Sequence, residues 1–323
     1  MAMSNPTTMR RPDHPDHPDL VTVACANFAP VPGDRAATLA KVVATVRDAA
    51  RQGAQLVAFP EQTFGAIGFC AACEDRSGAC PDHQSAETVP GPTTDTLAEV
   101  AAELGVYVVV GIDEQDPDDP EVIYNAAAMV GPEGILGTYR KLHLGHPLET
   151  CRYTPGTSLP VWDTSLGPIG VLVCYDFWSN PELSRLLALK GARLLVNVTR
   201  SNAGAGKAQY VRDTTVVRGQ ENLVYAMSAN WSGPSPDGVG AGHSTIAGPA
   251  FPAFNHVLAE AGEGEGLIVA TLNFRQLGRW YDLFPWSSWR TDPARQLAVS
   301  QLVASEFAAL AEPGPAAPQD GPR

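Results

Sequence analysis

Three side chains whose chemistry could activate a thiol stand at the ends of predicted strands. Cys174 follows the apolar run of residues 170–173, and Glu61 and Lys141 also come directly after strand-like runs. A cysteine attacks as its thiolate, so it needs a nearby base or positive charge. Glu61 could accept the thiol proton, and Lys141 could stabilise the thiolate and then the oxyanion of a tetrahedral adduct. These residue types predict a covalent thioester, which water then hydrolyses with the help of the same base.

The position of Cys174 allows a nucleophile, and the base and the cation at the other strand ends favour this role over a structural cysteine. Free cysteines are among the most buried residue types, so core packing is the alternative interpretation. The end of a strand, however, holds a side chain rigidly at the carboxyl edge of a sheet, where open α/β sheets bind ligands. The backbone N–H of Tyr175 is then a second candidate donor to the oxyanion. His143 is an alternative base, since on a continuing strand it would share the face of Lys141.

The composition excludes several classes of partner. The 323 residues are 44% hydrophobic and 18% charged, which is typical of a globular protein, and the formal net charge is −13. That charge argues against nucleic acid or an anionic membrane surface as the main partner. No uncharged apolar run reaches about eighteen residues, so we expect no membrane span. Six cysteines and a polar N-terminus without a secretory signal indicate reduced thiols and a cytoplasmic location.

Strand-like runs alternate with helical ones, and hairpins interrupt the alternation. The predicted strands are residues 20–28, 55–60, 106–110, 193–198, 223–230, 244–250 and 267–272, with hairpins within residues 122–141 and 161–174. The predicted helices are residues 35–52, 93–104 and 208–222, and a further helix follows Cys174. Apolar strands flanked by helices on both sides indicate an α/β fold with helices outside and sheets inside.

The sequence predicts one main domain with an extension at each end. No linker composition divides residues 20–290, so we expect them to form a single domain. Residues 1–19 are polar and carry an Asp-His-Pro repeat, which is typical of a disordered leader. Residues 291–323 form a C-terminal extension that is rich in Pro and Ala near its end, where we expect it to be frayed.

Several motifs together resemble the nitrilase superfamily of carbon–nitrogen hydrolases. They are Phe59-Pro60-Glu61, then Tyr139-Arg140-Lys141-Leu142-His143-Leu144 with Glu149 and Thr154-Pro155-Gly156, then residues 170–176 with Pro181-Glu182 and residues 189–192, and finally Glu221-Asn222 and residues 242–244. The resemblance runs from about residue 20 to residue 272. Separate motifs in the family's order are far more specific than any one of them.

The resemblance implies a fold and a set of roles. The fold would be a four-layer α-β-β-α sandwich of nitrilase type. In a Glu-Lys-Cys triad, Glu61 would be the general base, Lys141 the oxyanion partner and Cys174 the nucleophile. Glu149 would sit in the same pocket and orient the substrate and the lysine. Family members usually pair through helices near the active face, which implies a homodimer or a larger homo-oligomer, and the hydrolysis would need no metal or other cofactor.

The residues after the nucleophile favour amide chemistry over nitrile chemistry. Relatives that hydrolyse nitriles typically follow the cysteine with Trp-Glu, whereas Tyr175-Asp176 is similar to the amidase and N-carbamoyl amidase branches. The resemblance therefore implies hydrolysis of a small amide or ureido (N-carbamoyl) substrate. A nitrilase, an acyltransferase and a non-catalytic regulatory subunit are the alternatives. The candidate substrate-binding residues are Tyr175, Trp178, Arg200 and Asn202, with Trp231 as a further candidate and Arg200 as a possible partner for a substrate carboxylate.

Four residues in the long loop after Glu61 have a spacing that resembles a zinc site. They are Cys70, Cys73, Cys80 and His83. Such spacings arise by chance in loops that contain cysteine, so ordinary loop thiols are the default interpretation. If zinc were bound there, it would be structural and would take no part in the hydrolysis.

Overall fold

The computed structural model describes residues 13–65, 84–235, 238–284 and 293–311 of the chain. The strands are β1 (Leu20–Asn27), β2 (Leu56–Ala58), β3 (Tyr107–Gln115), β4 (Ile123–Gly131), β5 (Gly134–Arg140), β6 (Val161–Trp162), β7 (Ile169–Val173), β8 (Leu194–Thr199), β9 (Tyr225–Asn230), β10 (Ser232–Ser235), β11 (Gly238–Ala241), β12 (Thr245–Ala247), β13 (Val257–Glu260) and β14 (Gly266–Asn273). The helices are α1 (Arg35–Arg51), α2 (Pro92–Leu104), α3 (Pro147–Arg152), α4 (Tyr175–Ser179), α5 (Pro181–Leu189), α6 (Lys207–Asn222), α7 (Phe274–Leu283) and α8 (Pro293–Ala311).

The chain divides into two compact units, Met1–Trp280 and Tyr281–Arg323. In the second unit, α8 leaves large apolar side chains exposed, among them Leu297, Leu302 and Phe307. Among the helices of the described ranges, none combines the length and the apolar character that a membrane crossing requires.

Two six-stranded mixed sheets form the centre of the first unit. The strand order is β14-β1-β2-β3-β4-β5 in sheet one and β13-β12-β9-β8-β7-β6 in sheet two. Strands β1, β2 and β3 are parallel, as are β7, β8 and β9, and antiparallel strands complete each sheet. The strands β3 and β8 are buried almost throughout, because each sheet is covered on both faces.

The two sheets pack face to face and helices cover their outer faces. Strand β1 contacts β9, β3 contacts β8, and β4 contacts β7, while α2 packs on sheet one and α6 on sheet two. The layers therefore run helix, sheet, sheet, helix. The predicted four-layer α-β-β-α sandwich is confirmed.

Helix α1 shows how apolar spacing produces an outer layer. Val42, Val46 and Ala49 recur every three or four residues and are fully buried against sheet one. Burial of each valine contributes roughly 1.5–3 kcal/mol to stability. The side chain of Asp34 accepts the backbone N–H of Ala37 at 2.8 Å, which caps the first turn.

Several strands and helices of the structure were not predicted from the sequence. Strands β10, β11 and β13 were not predicted, because their segments are short and mix glycine, serine and proline with single apolar residues. The helices α3, α7 and α8 were also missed, although α7 buries an apolar face that includes Phe274, Leu277 and Trp280. Conversely, β3 extends to Gln115, although its apolar run ends at residue 110, because its polar end remains buried between layers.

Residues 13–19 of the predicted leader belong to the first unit and contact residues far along the chain. The guanidinium of Arg193 is 2% exposed and donates to the carbonyl oxygen of Pro18 at 2.6 Å. The carbonyl oxygen of Asp19 accepts the backbone N–H of Phe274 at 2.8 Å. Burial lowers the pKa of Arg193 to about 10. The segment just before β1 thus has specific partners.

Candidate active site

A cavity of about 560 Å³ lies where strands of both sheets end. Glu61 comes after β2 and Lys141 after β5 in sheet one, whereas Cys174 comes after β7 in sheet two. All eight predicted site residues line this cavity, namely Glu61, Lys141, Glu149, Cys174, Tyr175, Trp178, Arg200 and Asn202. The strand ends that the sequence indicated therefore converge in space.

The ammonium group of Lys141 joins two carboxylates at the cavity. Its Nζ donates to Oε1 of Glu61 at 2.9 Å and to Oε1 of Glu149 at 2.6 Å. Lys141 and Glu61 are both buried. Burial opposes the charge of Lys141, but attraction to Glu61 and other negative groups outweighs it, so the pKa of Lys141 is raised above its ordinary value. Lys141 is therefore a fixed positive charge at neutral pH.

The carboxylate of Glu61 is held by three donors. Besides Lys141, the amide Nδ2 of Asn125 donates to its Oε1 at 2.7 Å, and the backbone N–H of Arg200 donates to its Oε2 at 2.9 Å. The indole N–H of Trp231 donates to the backbone carbonyl of Glu61 at 2.6 Å. Several donors to one carboxylate fix its orientation.

Glu149 belongs to the same cluster. It lies on α3, and its Oε1 accepts from Nδ2 of Asn125 at 3.0 Å as well as from Lys141. Its Oε2 accepts the backbone N–H of Gly145 at 2.8 Å. Glu149 is therefore held by the same two side-chain donors as Glu61 and by the backbone just before α3.

Cys174 occupies a strained backbone position between β7 and α4. Its φ of 47° lies in the left-handed region, which residues other than glycine rarely adopt. Its N–H donates to the carbonyl oxygen of Val198 at 2.9 Å and to Oδ1 of Asn197 at 3.0 Å. Its own carbonyl oxygen accepts the N–H of Trp178 at 3.0 Å. Backbone hydrogen bonds on both sides thus hold the sharp turn that presents the thiol.

The thiol of Cys174 is neutral in the resting site. Burial, reinforced by the negative charge of Glu61, raises the pKa of Cys174 to about 12. The positive charge of Lys141 and a hydrogen bond with Thr199 act in the opposite direction and do not offset this effect. At neutral pH the thiol therefore keeps its proton until a base removes it.

Asp176 fastens the segment after β5 to helix α4. Its carboxylate is fully buried and accepts the hydroxyl of Tyr139 at 2.6 Å and the backbone N–H of Leu142 at 2.8 Å. The backbone N–H of His143 donates to the same carboxylate at 2.9 Å. In the sequence, Asp176 indicated only a resemblance to the amidase branch of the family. In the structure, its hydrogen bonds connect the two halves of the site.

The structure gives His143 less support as the base than the sequence did. Strand β5 ends at Arg140, so the continuing strand on which the alternative depended does not exist. The ring Nδ1 of His143 lies 2.8 Å from Oδ1 of Asp176, and the residue is absent from the cavity lining. Glu61, which lines the cavity together with Cys174, is therefore the better candidate for the base.

The predicted substrate-binding residues form one wall of the cavity. The indole N–H of Trp178 donates to Oγ1 of Thr199 at 3.1 Å, and its ring contacts that of Tyr210 at 5.5 Å between centroids. The guanidinium of Arg200 donates to Oε1 of Gln62 at 2.9 Å. Lys207 joins this wall although the sequence did not single it out.

Trp231 packs in the core and does not line the cavity. It is 1% exposed and lies behind Glu61, whose backbone it supports. The guanidinium of Arg200 stacks on its ring at 4.6 Å from the centroid. Trp231 therefore positions two site residues without bordering the cavity itself.

The site requires two glycines whose roles were not predicted from the sequence. A Cβ on Gly111 of β3 would meet the carbonyl oxygen of Pro60 at 2.4 Å and Cα of Glu61 at 2.5 Å. A Cβ on Gly156 would meet the carbonyl oxygen of Arg140 at 2.2 Å. The second contact explains the Thr-Pro-Gly motif, since Gly156 packs against the strand end that carries the lysine.

The four residues of the zinc-like spacing, Cys70, Cys73, Cys80 and His83, lie outside the described residues. Within the described ranges, no disulfide links Cys25, Cys151 or Cys174. The same ranges contain no group of three or more His, Cys, Asp or Glu side chains placed to hold a metal ion.

Known proteins share both the sequence and the fold. A nitrilase from Pyrococcus abyssi is 36% identical over 222 residues, which is 68% of this chain and 77% of that protein. The omega-amidase NIT2 of Bos taurus is 32% identical over 274 residues, covering 79% of this chain and 90% of the relative. These shares show that the likeness extends over most of each relative.

A solved structure connects the likeness to a covalent cysteine adduct. It is a variant of the amidase from Nesterenkonia sp. AN1, in which the acetamide moiety of fluoroacetamide is attached to the active-site cysteine. Its TM-score to this chain is 0.66 at 25% identity, and the match covers 80% of this chain and 92% of that one. The prediction of an enzyme that hydrolyses a carbon–nitrogen bond through a cysteine is confirmed. Residues 22–282 match the carbon-nitrogen hydrolase family, to which this chain therefore belongs.

Proposed function

We propose that the chain is an amidase in which Cys174 attacks a small amide and Glu61, Lys141 and Glu149 support the reaction. The observation that carries this proposal is the arrangement at the cavity. A neutral thiol shares it with a buried ammonium group that bridges two carboxylates. Each group then has one task in a thioester mechanism.

The first task is removal of the thiol proton. Because the pKa of Cys174 is about 12, free thiolate is scarce at neutral pH, and the proton must leave as sulfur attacks the carbonyl carbon. Glu61 accepts that proton. The transfer leaves the summed charge of the buried groups unchanged, which avoids the large cost of adding a second uncompensated negative charge.

The second task is stabilisation of the tetrahedral adduct. Its oxyanion accepts hydrogen bonds from Nζ of Lys141 and from the backbone N–H of Tyr175, the residue after the nucleophile. The protonated Glu61 then gives its proton to the departing amine or ammonia. The carbon–nitrogen bond breaks and a thioester remains on Cys174. Water, deprotonated by Glu61, attacks the thioester and releases the acid.

The lining of the cavity favours an amide whose acyl part carries a negative charge. Arg152, Arg200 and Lys207 all border it, and the carboxylates of Glu61 and Glu149 already bond to Lys141. A substrate carboxylate could form charge-assisted hydrogen bonds with this cationic wall. The name omega-amidase of the bovine relative is consistent with such a substrate. An N-carbamoyl amino acid has the same charge and fits the same argument.

A nitrile remains the second candidate substrate because one relative is named a nitrilase. A non-catalytic subunit is disfavoured, since the nucleophile, the ammonium group and both carboxylates are assembled at one cavity.

The decisive experiment is to trap the thioester. Purified enzyme would be mixed with butyramide, glutaramate, an N-carbamoyl amino acid and butyronitrile, and quenched samples would be analysed by intact mass. We expect an acyl adduct on Cys174 and release of ammonia from the amides, both abolished in Cys174→Ala. Steady turnover by the Cys174→Ala variant would overturn the mechanism.

The preference for an anionic amide has its own test. Lys207→Met should lower kcat/KM for glutaramate by about tenfold, which corresponds to one charge-assisted hydrogen bond, and leave that for butyramide nearly unchanged. Equal losses on both amides would show that Lys207 does not read the substrate charge.

We also infer a cytoplasmic homodimer with a catalytic domain over residues 20–290. Three neighbouring helices expose apolar side chains, namely Tyr175 on α4, Leu186 on α5 and Val217 on α6, and these support a subunit interface near the cavity. Among the cysteines in the described part of the chain, Cys25, Cys151 and Cys174 form no disulfide, which supports a reducing compartment. Leu186→Arg should shift the sedimenting species toward a monomer, and an unchanged sedimentation coefficient would argue against this interface.

A further inference from the structure

A closed ring of four side chains underlies the site. Nδ2 of Asn125 and Nζ of Lys141 each donate to Oε1 of Glu61 and to Oε1 of Glu149, at distances between 2.6 and 3.0 Å. Two donors and two acceptors thus alternate around the ring. Asn125 is 1% exposed and does not line the cavity, so its amide acts on the carboxylates rather than on a substrate.

Asn125 also fixes the backbone of the lysine. Its carbonyl oxygen accepts the N–H of Lys141 at 2.9 Å, just beyond the pairing of β4 with β5. Asn125 therefore fixes the backbone of Lys141 and also holds the two carboxylates that bind the ammonium group of Lys141. A displacement of Asn125 would be transmitted to all three charged groups.

The amide contributes donors without contributing charge. Two carboxylates and one ammonium give the ring a formal charge of −1. A second cation in place of Asn125 would neutralise the ring and make Glu61 a weaker base, because a nearby positive charge stabilises the carboxylate. An apolar residue would leave each carboxylate with one donor fewer. A neutral amide is therefore suited to hold a base that must still accept a proton.

The other end of the amide supports a functional interpretation. Oδ1 of Asn125 is buried and has no hydrogen-bond partner among the described residues. A buried acceptor without a partner destabilises a fold, and an apolar side chain would avoid this. The reversed amide would place Oδ1 against two carboxylate oxygens. The two donated bonds thus account for an asparagine within the apolar strand β4.

We infer that Asn125 is a positioning residue of the hydrolysis, whose amide donates to both Glu61 and Glu149 and aligns them before the thiol proton moves. The inference rests on the proposed function. The other titratable groups around the ring are Cys174, His146, Arg152, Tyr153, Tyr175, Arg200, Lys207 and Tyr210 in the cavity lining, and Asp113 opposite Asn125 on β3.

The test measures the reactivity of Cys174 as a function of pH. Fluoroacetamide would alkylate the wild type, Asn125→Ala and the isosteric Asn125→Asp, and peptide mass spectrometry would follow the peptide that contains Cys174. Loss of the donor raises the pKa of the base, so the acid limb of the rate profile should move up by about one pH unit or more in Asn125→Ala. Asn125→Asp should move it further, because a third carboxylate repels the ionised pair. Below the midpoint of the acid limb, where the rate is proportional to the ionised fraction of the base, a shift of one pH unit should lower the rate about tenfold in both variants.

The matched control is Asn222→Ala, a buried asparagine on α6 that does not line the cavity. It should lower the melting temperature and leave the acid limb in place. Acid limbs of both Asn125 variants that coincide with the wild type would overturn the inference, and Asn125→Asp decides alone if Asn125→Ala does not fold. Alkylation requires no amide turnover. If the acid limb of alkylation shifts in the Asn125 variants but the wild type hydrolyses no amide, the proposed function is wrong and the positioning role of Asn125 still holds.

Discussion

The two halves of the site come from different sheets and are held in different ways. On sheet one, side chains hold side chains: Glu61, Lys141 and Asn125 bond to one another and to Glu149. On sheet two, backbone geometry holds Cys174, whose turn is pinned by bonds to neighbouring strand β8. The first half is a cluster of charges, whereas the second presents a neutral thiol.

This division places the charged side chains on sheet one and the reacting sulfur atom on sheet two. The charged half must stay aligned through all steps, and its side-chain bonds make it sensitive to the loss of any one member. The thiol half needs one sharp turn and a buried sulfur, which strand pairing supplies. We therefore expect substitutions in the charged half to damage both catalysis and stability, and those in the thiol half to act mainly on catalysis.

The largest effect should follow from Lys141→Met. The change leaves Glu61 and Glu149 buried without their shared cation, which costs about 3–5 kcal/mol of unfolding free energy. It also removes an oxyanion donor, so kcat/KM should fall by at least about 10²–10³-fold. Urea unfolding and steady-state kinetics measure the two losses. The exposed Lys190→Met is the matched control, and a Lys141→Met enzyme as stable as that control would break the comparison.

Gly111→Ala should damage the charged half through the backbone. The added methyl group overlaps the carbonyl oxygen of Pro60 and Cα of Glu61, so Glu61 must shift. Overpacking of this kind costs about 1–3 kcal/mol. A shift near 1 Å lowers kcat by about 10–100-fold.

The control for this prediction is Gly266→Ala on β14 of the same sheet, where a methyl group meets nothing within 4 Å. Kinetics and melting curves of both variants give the comparison. Equal kcat values would mean that the backbone of Glu61 tolerates displacement.

The sequence predicted the positions of the reacting groups because local patterns encode them. An apolar run that ends at a polar residue marks a strand end, and this held for Cys174 and Lys141. Helix α1 also matched within one residue, since Val42 and Val46 mark its buried face. The convergence of the strand ends, by contrast, came from the family resemblance rather than from periodicity.

The connections between the groups could not be read locally. Asn125 donates to Glu61, which lies 64 positions away in the sequence, and to Glu149, which lies 24 positions away. Nothing in the sequence of its strand distinguishes Asn125 from an isolated polar residue. Asp176 likewise reaches Tyr139 across 37 positions. Such bonds depend on how two layers meet, whereas patterns of period 2 or 3.6 report only which face of an element is buried.

The charge difference between the halves predicts a pH dependence of stability. The pKa of Cys174 is about 12 in the fold and near 9.0 for an ordinary thiol. Between these values the unfolded chain has released this proton and the folded chain has not. Stability therefore falls as pH rises above about 9, by roughly 1.4 kcal/mol per pH unit for this group.

Cys174→Ala removes this contribution and keeps the other cysteines. Urea unfolding would measure the free energy of unfolding of the wild type and the variant at pH 7.5 and pH 10. Between these two pH values, the wild type should lose more unfolding free energy than the variant. Parallel pH curves would show that the thiol is not buried as a neutral group, and the contrast between the two halves would then be lost.

The smallest effect should come from Thr199→Val, which keeps the side-chain shape and removes one hydroxyl from the thiol half. The hydrogen bond of Thr199 lowers the pKa of Cys174, and its Oγ1 accepts the indole N–H of Trp178. Loss of one such bond costs about 0.5–1.5 kcal/mol, so kcat/KM should fall by about 2–10-fold. Thr199→Ser keeps the hydroxyl and should recover most of the activity. Should Thr199→Val match the wild type, the turn alone would account for the reactivity of the thiol.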